Sequence, residues 1–372
     1  MKYLTLFLAS VFILLGQSNE FFNIPVLDLN NRHDIQVIID KEPGVYLGHP
    51  STVLLEDGKT ILVVYPKGHG SGEIIYKRSL DGGKSWSDRL PVPENWSTSK
   101  EVPTIHRVID KNGTKRLIVW SGLYPARLSI SEDDGLTWSS LKKVGNWGGI
   151  VVMGSVIALK PPGHYLGMFH DDGRFFTKNG KGTGIFTLYK TISIDGGKTW
   201  SHPIDIYSNS KIHLCEPGVI RSPDGKQLAM LLRENSRTQN SHIMFSIDEG
   251  ETWSLPKELP LELTGDRHTA KYTKNGKLFI SFRDMAKNSP TKGDWVAWVG
   301  SYQDLRDKGL GEYRILIKNN YNDWDSSYPG VELLPTGEIV TTTYGHWTKD
   351  EMPYIMSVRI NLNEIAPISR VK

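Results

Sequence analysis

Short apolar runs alternate with turn residues along most of the chain. Four stretches read as an apolar strand, a turn that ends in glycine, and a second apolar strand: 51–65, 218–232, 270–282 and 330–344. Apolar runs joined by Asp-Gly, Asn-Gly or Thr-Gly are typical of β-hairpins. After the first 20 residues no stretch keeps the 3.6-residue apolar periodicity of an amphipathic helix. The pattern therefore predicts an all-β chain.

A second pattern is an eight-residue motif, Ser-x-Asp-x-Gly-x-(Ser/Thr)-Trp, that occurs four times. The copies begin at Ser79, Ser131, Ser193 and Ser246, with spacings of 52, 62 and 53 residues. Strand-like runs precede three of them, at 73–78, 186–192 and 242–245. Such spacings are close to the length of one four-stranded blade, and hairpins recur over about 330 residues. We therefore predict an all-β fold, a six-bladed β-propeller that occupies residues 21–372 as one domain.

The residues of the motif suit a tight turn. An Asp side chain accepts backbone N–H groups across its own turn, and glycine permits a positive φ. The Trp buries a large ring between sheets. We therefore expect the four motif aspartates to be structural and assign them no catalytic role: Asp81, Asp133, Asp195 and Asp248.

Composition narrows the function classes. The 372 residues include 36 Gly and 11 Trp, and a net charge of +3 is too small to indicate a nucleic-acid partner. The single cysteine, Cys215, excludes an intrachain disulfide and a Cys-rich zinc site. The histidines show no metal-ligand spacing, so we expect neither a metal nor a cofactor. We also expect a monomer.

The first 20 residues read as a signal peptide. Lys2 precedes an apolar run from Tyr3 to Leu15, and small and polar residues follow. The run is shorter than the roughly 20 apolar residues of a membrane span, and no later stretch approaches that length. These features predict an exported protein, periplasmic or secreted, without a membrane span.

The Ser-x-Asp-x-Gly-x-(Ser/Thr)-Trp motifs resemble the Asp-boxes of the sialidase (neuraminidase) superfamily. The resemblance covers nearly the whole chain after the signal peptide and implies a propeller with its site at one mouth of the central channel. In CEPGVIRSPDGKQLAMLLREN, Glu216 and Arg233 match the family's assisting glutamate and one carboxylate-binding arginine. Arg283, in KLFISFRDM, resembles another arginine of the family, and Tyr328, in DSSYPGVELL, resembles its catalytic tyrosine.

The chemistry explains why these residue types suit a sialic acid. Most retaining glycosidases use a carboxylate nucleophile. A sialic acid carries its own carboxylate beside the anomeric carbon, so a neutral tyrosine avoids repulsion. A tyrosine with a pKa near 10 needs a neighbouring base, here Glu216. Arginine suits the substrate carboxylate because a guanidinium makes two parallel charge-assisted bonds.

Two departures from the family pattern change the expected pocket. Where the family has an arginine before its first hairpin, this chain has His49, which we expect to complete the pocket floor. The loop that carries the family's acid/base aspartate reads PKGHGSGE, so His69 is the candidate general acid, with Glu73 as the other possibility. Arg267 and His268 precede another inner hairpin and are further candidates for substrate binding.

These observations predict an exo-acting, retaining glycoside hydrolase that removes a terminal sialic acid or related acidic sugar from a glycan or glycoconjugate. Two alternatives remain open. One is a propeller glycosidase or lyase that acts on a uronic or neutral glycan with histidine chemistry. The other is a non-catalytic, glycan-binding propeller that has lost its acid.

Overall fold

Each predicted hairpin forms two neighbouring strands of a small antiparallel sheet, and six such sheets form a ring. The computed structural model describes residues 21–176 and 182–365. The predicted signal peptide lies outside the described residues. Within them, no helix combines the length and apolar character needed to cross a bilayer.

Within the described residues, each blade contains the strands that follow one another along the chain. Blade 1 has β3 (Ser51–Leu54), β4 (Ile61–Pro66) and β5 (Ile74–Ser79); blade 2 has β6 (Thr104–Ile109), β7 (Lys115–Ser121), β8 (Arg127–Ser131) and β9 (Lys142–Lys143); blade 3 has β10 (Ile150–Ala158), β11 (Tyr165–Asp171), β12 (Thr187–Ser193) and β13 (Ile204–Ser208). Blade 4 has β14 (Leu214–Arg221), β15 (Leu228–Glu234), β16 (His242–Ser246) and β17 (Lys257–Glu258); blade 5 has β18 (Gly265–Tyr272), β19 (Leu278–Asp284), β20 (Trp295–Gly300) and β21 (Tyr313–Lys318); blade 6 has β22 (Gly330–Leu333), β23 (Ile339–Gly345) and β24 (Tyr354–Ile360).

The segment before blade 1 completes two other blades. Strand β1 (Val26–Asp28) adds in parallel to β21 at the edge of blade 5, and β2 (Gln36–Asp40) pairs antiparallel with β24 of blade 6. Helical structure in the described residues is limited to short pieces: α1 (Tyr302–Asp307), α2 (Leu362–Ile365), and 3-10 turns at His33–Ile35, Glu94–Thr98 and Leu261–Leu263. The all-β, six-bladed architecture is confirmed, but the sequence analysis did not identify β1, β2 or α1.

The first strands of neighbouring blades lie against one another around the central channel. The turns between first and second strands all contain a glycine with φ between 70° and 96°: Gly58, Gly113, Gly163, Gly225, Gly276 and Gly337. The second and third strands are largely buried, and β4 and β20 are also almost wholly apolar. Apolar clusters between adjacent sheets form the core, so each blade is held by its neighbours.

The Asp-boxes follow the third strands of blades 1 to 4, at the far side of each blade from the channel. In the third box, Asp195 accepts the backbone N–H of Lys198 and of Thr199, each at 3.0 Å, and the Thr199 hydroxyl at 2.6 Å. Ser193 adds a bond that the sequence analysis did not anticipate, because its Oγ accepts the N–H of Gly197 at 2.9 Å. The other three boxes repeat the Ser–Gly bond and the bond from the Ser/Thr backbone N–H to the Asp side chain. The structural role expected for the aspartates is confirmed.

Candidate active site

The start of the first strand has an unusual backbone in five of the six blades. One residue there has a positive φ without being glycine: His49 (52°), Val151 (52°), Glu216 (53°), Arg267 (54°) and Ser327 (58°). In blades 4 and 5 this residue is an extra one that shifts the strand register. A left-handed non-glycine residue costs about 1–2 kcal/mol, and such strain concentrates at functional sites. In blades 1, 4 and 5 this residue is itself part of the polar cluster described below, whereas in blade 6 the cluster residue is the next one, Tyr328.

The second strands bring further polar side chains to the same end of the channel. Arg233 pairs with Cys215, the residue before Glu216, and Arg283 pairs with Asp266, the residue before Arg267. His170 of β11 and Tyr344 of β23 end their strands at the equivalent level. Antiparallel pairing thus explains why strand starts and strand ends supply one cluster.

Tyr328 and Glu216 form its centre. The Tyr328 hydroxyl donates a hydrogen bond to Glu216 Oε1, and Arg233 Nη1 donates to the same oxygen at 2.8 Å. Burial, and then the Glu216 charge, raise the pKa of Tyr328 well above its usual value. Burial alone would raise the pKa of Glu216, but the charge of Arg233 outweighs it and the net shift is downward. The resting pair is therefore a neutral phenol beside an ionised carboxylate, which is placed to accept its proton.

A fully buried carboxylate, Asp266, holds three arginines. Arg237 donates to it with two nitrogens, at 2.5 and 2.7 Å, and Arg283 donates with Nε at 3.0 Å and with Nη2. Arg233 Nε lies 3.4 Å away. The remaining Arg283 nitrogen, Nη1, donates to the Ser326 carbonyl at 2.9 Å, so all three of its nitrogens are engaged. Arg283 lies in the predicted cluster, and each of its three nitrogens already donates to a protein group.

Arg267 occupies a different position from the other arginines. Its Nη1 donates to the Gly154 carbonyl at 2.9 Å, and its guanidinium lies 5.9 Å from the centre of the Tyr328 ring. It is deep in the channel, yet part of its surface stays open. Burial lowers its pKa, although a guanidinium keeps its charge at neutral pH.

The two histidines expected at the mouth lie close to the tyrosine. The ring of His49 is 4.6 Å from that of Tyr328, centre to centre, and 5.2 Å from that of His69. His69 is the more exposed of the two, and its Nδ1 lies 2.8 Å from the Tyr46 hydroxyl and 3.6 Å from Asp325. Burial, and then the charges of His69, Arg283 and Arg267, lower the pKa of His49, so it is neutral at pH 7.

The structure separates His268 from the other candidates. Its Nε2 lies 2.8 Å from the Leu263 carbonyl, and its ring stacks on Phe282 at 4.9 Å. Because the residue after a bulge points to the opposite side of the strand, His268 packs between blades while Arg267 faces the channel. The observed contacts therefore give His268 a packing role rather than the substrate contact we expected.

Several residues of the cluster escaped the sequence analysis: Tyr46, Glu101, Arg237, Asp266, Asp325 and Tyr344. A blade-to-blade alignment supplies a signal for part of the site, because His49-Pro50, Glu216-Pro217 and Tyr328-Pro329 fall at one position of three blades. Two depressions on the outer surface, one beside Arg359 and the other beside Tyr302, are lined by none of the clustered residues.

Comparisons with known proteins agree with this architecture. Residues 114–289 match the family model of the BNR repeat-like domain. A sialidase from Clostridium perfringens is 23% identical over 283 residues, which cover 69% of this chain and 61% of the relative. The chain thus spans less than two thirds of that relative's length.

Solved structures with the same fold belong to different kinds of protein. The intramolecular trans-sialidase from Ruminococcus gnavus has a TM-score of 0.61 at 14% identity, over 87% of this chain and 96% of its own. The α-L-arabinanase from Penicillium chrysogenum has a TM-score of 0.62 at 18% identity, over 89% and 99%. A protein of unknown function from Dyadobacter fermentans has a TM-score of 0.68 at 15% identity, over 87% and 97%.

The ring of six blades, with Asp-boxes on its outer turns and a polar cluster at one channel mouth, defines an Asp-box propeller. The segment 114–289, which matches the BNR repeat-like domain, forms part of this ring, and the whole has the fold of sialidase-type propellers.

Proposed function

We propose that the protein is a retaining, exo-acting glycoside hydrolase that removes a terminal acidic sugar, a sialic acid or a close relative, from a glycan. The observation that carries this proposal is the buried Tyr328–Glu216 pair, a phenol hydrogen-bonded to an ionised carboxylate. The sialidase relative supports a glycosidase, and the hydrogen bond from the Tyr328 hydroxyl to Glu216 supports the tyrosine as the nucleophile.

The reaction would proceed in two displacements. The Tyr328 oxygen bonds to the anomeric carbon while the glycosidic C–O bond breaks, and the phenol proton passes to Glu216. His69, at the rim, protonates the leaving oxygen, and Asp325 stabilises its charge. Water then attacks the anomeric carbon, His69 takes a proton from it, and Glu216 returns the phenol proton. Two inversions give net retention.

The charges of the cluster favour an acidic sugar. Arg233, Arg237, Arg267 and Arg283 contribute four positive charges, whereas Glu216, Asp266 and Asp325 contribute three negative ones. The set therefore carries one uncompensated positive charge in a partly desolvated space, where electrostatic interactions are stronger than in water. A substrate carboxylate would complete this balance.

A neutral glycan is the second candidate. All three nitrogens of Arg283 already donate to protein groups, His49 stands where the family has an arginine, and the arabinanase shares the fold over 99% of its length. A neutral sugar would use the same tyrosine and histidines, but it would leave the surplus positive charge unmatched.

Turnover of three 4-methylumbelliferyl glycosides distinguishes the candidates: an N-acetylneuraminide, a uronide and an arabinofuranoside. We expect cleavage of an acidic glycoside, and a decrease in kcat of about 10³-fold or more for Tyr328→Phe, because the nucleophile is lost. Tyr272→Phe is the matched control, since the Tyr272 hydroxyl of blade 5 donates to the Arg221 carbonyl of blade 4 at 2.9 Å, outside the cluster. Full turnover by Tyr328→Phe would refute the mechanism, and cleavage of the arabinofuranoside alone would favour the second candidate.

A further inference from the structure

Asp325 is a buried carboxylate on the segment that leads to Tyr328, and two phenols share one of its oxygens. Oδ1 accepts the hydroxyl of Tyr46 at 2.7 Å and that of Tyr344 at 3.1 Å. Burial raises the pKa of both tyrosines well above the usual value, so both phenols keep their protons and act as donors. Two donors on one oxygen stabilise the ionised form of the carboxyl group.

His346, the residue after β23, has an acceptor at each of its ring nitrogens. Nδ1 lies 3.1 Å from the backbone carbonyl of Glu351, and Nε2 lies 3.1 Å from the second oxygen of Asp325, Oδ2. A carbonyl oxygen only accepts, so Nδ1 carries a hydrogen. A neutral imidazole has a single N–H, which leaves none for Nε2 unless the ring is protonated or Asp325 itself carries a proton. The two contacts therefore require one proton more than a neutral histidine and a carboxylate supply.

The surroundings of this pair favour His346 as the site of the extra proton. A proton on Asp325 would weaken the two hydrogen bonds that its other oxygen accepts from the phenols. The side chain of His346 is 18% exposed and that of Asp325 only 7%, so a positive charge on the ring keeps part of its hydration. The backbone N–H of His346 donates to Asn320 Oδ1 at 2.9 Å, which holds the ring beside the segment of Asp325. Glu351, whose carbonyl faces the ring, has its own carboxylate paired with Lys41.

Tyr46 determines which nitrogen of His69 keeps a hydrogen. Nδ1 of His69 lies 2.8 Å from the Tyr46 oxygen, and the hydrogen of Tyr46 is already donated to Asp325. Nδ1 must therefore be the donor in this contact. Nε2 is then the nitrogen through which the half-exposed ring gains and loses a proton. A chain of hydrogen bonds thus connects His346, Asp325, Tyr46 and the candidate general acid.

We propose that His346 is a positioning residue, held as an imidazolium, that determines through Asp325 and Tyr46 how readily His69 releases its proton. Asp325 lies 3.6 Å from His69 Nδ1, and an uncompensated carboxylate there would retain the proton on His69 and make it a weaker acid. With His346 positive, the proton on Nε2 of His69 passes more readily to the leaving oxygen, while Nδ1 keeps its bond to Tyr46 before and after the transfer. A positive His346 also balances Asp325, which raises the surplus positive charge of the cluster from one to two. This inference rests on the role of His69 in the proposed function.

Nuclear magnetic resonance of full-length protein labelled with 15N-histidine locates the proton independently of turnover. The two ring nitrogens of an imidazolium have nearly equal chemical shifts, whereas those of a neutral ring are widely separated. At pH 7 we expect the imidazolium pattern for His346, identified as the signal that is missing from His346→Gln, and we expect Asp325→Asn to abolish that pattern. Separated signals in the wild type, or an unchanged pattern in Asp325→Asn, would overturn the proposal. If His346→Gln does not fold, neutron diffraction by wild-type crystals decides, because it shows hydrogens on both nitrogens or on one.

The pH dependence of turnover tests the effect on His69. The substrate is a disaccharide of the sugar that the wild type releases from its 4-methylumbelliferyl glycoside, because a sugar leaving group depends more strongly on the acid. His346→Gln keeps a donor near Nε2 but lacks the positive charge, so the alkaline limb of its kcat/KM profile should move upward by about half to one pH unit.

His164→Gln is the matched control, because His164 is a half-buried histidine in the turn between β10 and β11, outside the cluster. Its profile should coincide with that of the wild type. An unshifted alkaline limb in His346→Gln would overturn the proposal. Failure to cleave any glycoside would instead refute the proposed function, and the histidine spectrum would still decide whether His346 carries the proton.

Discussion

Glu101 has the most unusual protonation state among the residues of the channel. Its carboxyl group lies at the start of blade 2, where Oε2 accepts the N–H of Val151, one of the residues with positive φ. Burial raises its pKa to about 8, and backbone donors together with the charge of Arg267 only partly oppose this effect. At neutral pH the side chain is therefore a carboxylic acid that stabilises a strained turn without adding charge.

This protonation state predicts a pH-dependent stability. An unfolded glutamate has a pKa near 4.3, so the stability that the folded proton provides is complete below that pH and is lost as the pH rises through about 8. The shift sets an upper bound of about 5 kcal/mol on the loss. Glu101→Gln has the same shape, can accept from Val151 and does not titrate. Its urea midpoint should fall less than that of the wild type between pH 5 and pH 8.5, and parallel pH profiles would contradict the assignment.

At the level of single residues, the sequence motifs predicted which residues lie together more accurately than they predicted the contacts of each residue. Glu216, Arg233, Arg283 and Tyr328 were placed at strand ends by their motifs, and the structure brings them together. Arg283 contacts Asp266, whereas Arg267 donates to the Gly154 carbonyl. These differences arise from contacts between blades that no local motif encodes. His268 was misplaced for a local reason, since the bulge at Arg267 reverses the direction of the next side chain.

The Asp-box shows what a single element contributes. Its Asp and Ser side chains satisfy backbone N–H groups that would otherwise be unpaired in a turn, and the motif recurs because each blade needs the same turn. We expect Asp195→Ala to reduce the free energy of unfolding by about 1–3 kcal/mol, through the loss of several hydrogen bonds. Because the box lies on the outer side of its blade, kcat should not change.

Chemical denaturation and steady-state kinetics test this prediction together. Asp88→Ala is the matched control, because Asp88 is an exposed residue just after the first box and its side chain makes no hydrogen bond among the described residues. A large loss of activity in folded Asp195→Ala would show that the box acts on the site after all.

The repeated elements were predictable because their information is local. Turn glycines, alternating apolar strands and the boxes lie within about 50 residues of one another, and each signals one hairpin or one blade. Strands β1 and β2 carry no such signal. They are only three and five residues long, and their partners in β21 and β24 lie roughly 300 residues away along the chain. Their pairing depends on the outer edges of blades 5 and 6, which are available only once those blades have formed.

At the scale of the whole molecule, β2 closes the ring and also supports the site. It supplies the outer strand of blade 6, the blade that carries Tyr328 and Tyr344. Ile39 of β2 is buried in the apolar cluster that contains both tyrosines, whereas the neighbouring Ile38 faces solvent and is 52% exposed. An early strand of the chain and its last strand are thus joined next to the apolar cluster that contains the proposed nucleophile.

The two adjacent isoleucines make ring closure testable. Ile39→Ala should reduce the free energy of unfolding by about 2–4 kcal/mol, because a buried side chain is lost from a packed cluster, whereas Ile38→Ala should change it by less than about 0.5 kcal/mol. If blade 6 opens before the rest of the ring, Ile39→Ala should also lose activity at a temperature below its global melting transition. Activity and near-ultraviolet circular dichroism, followed along one temperature ramp, compare the two events. Coincident transitions in Ile39→Ala would mean that the six blades unfold as a single cooperative unit, and equal stabilities of the two variants would show that β2 does not hold the ring closed.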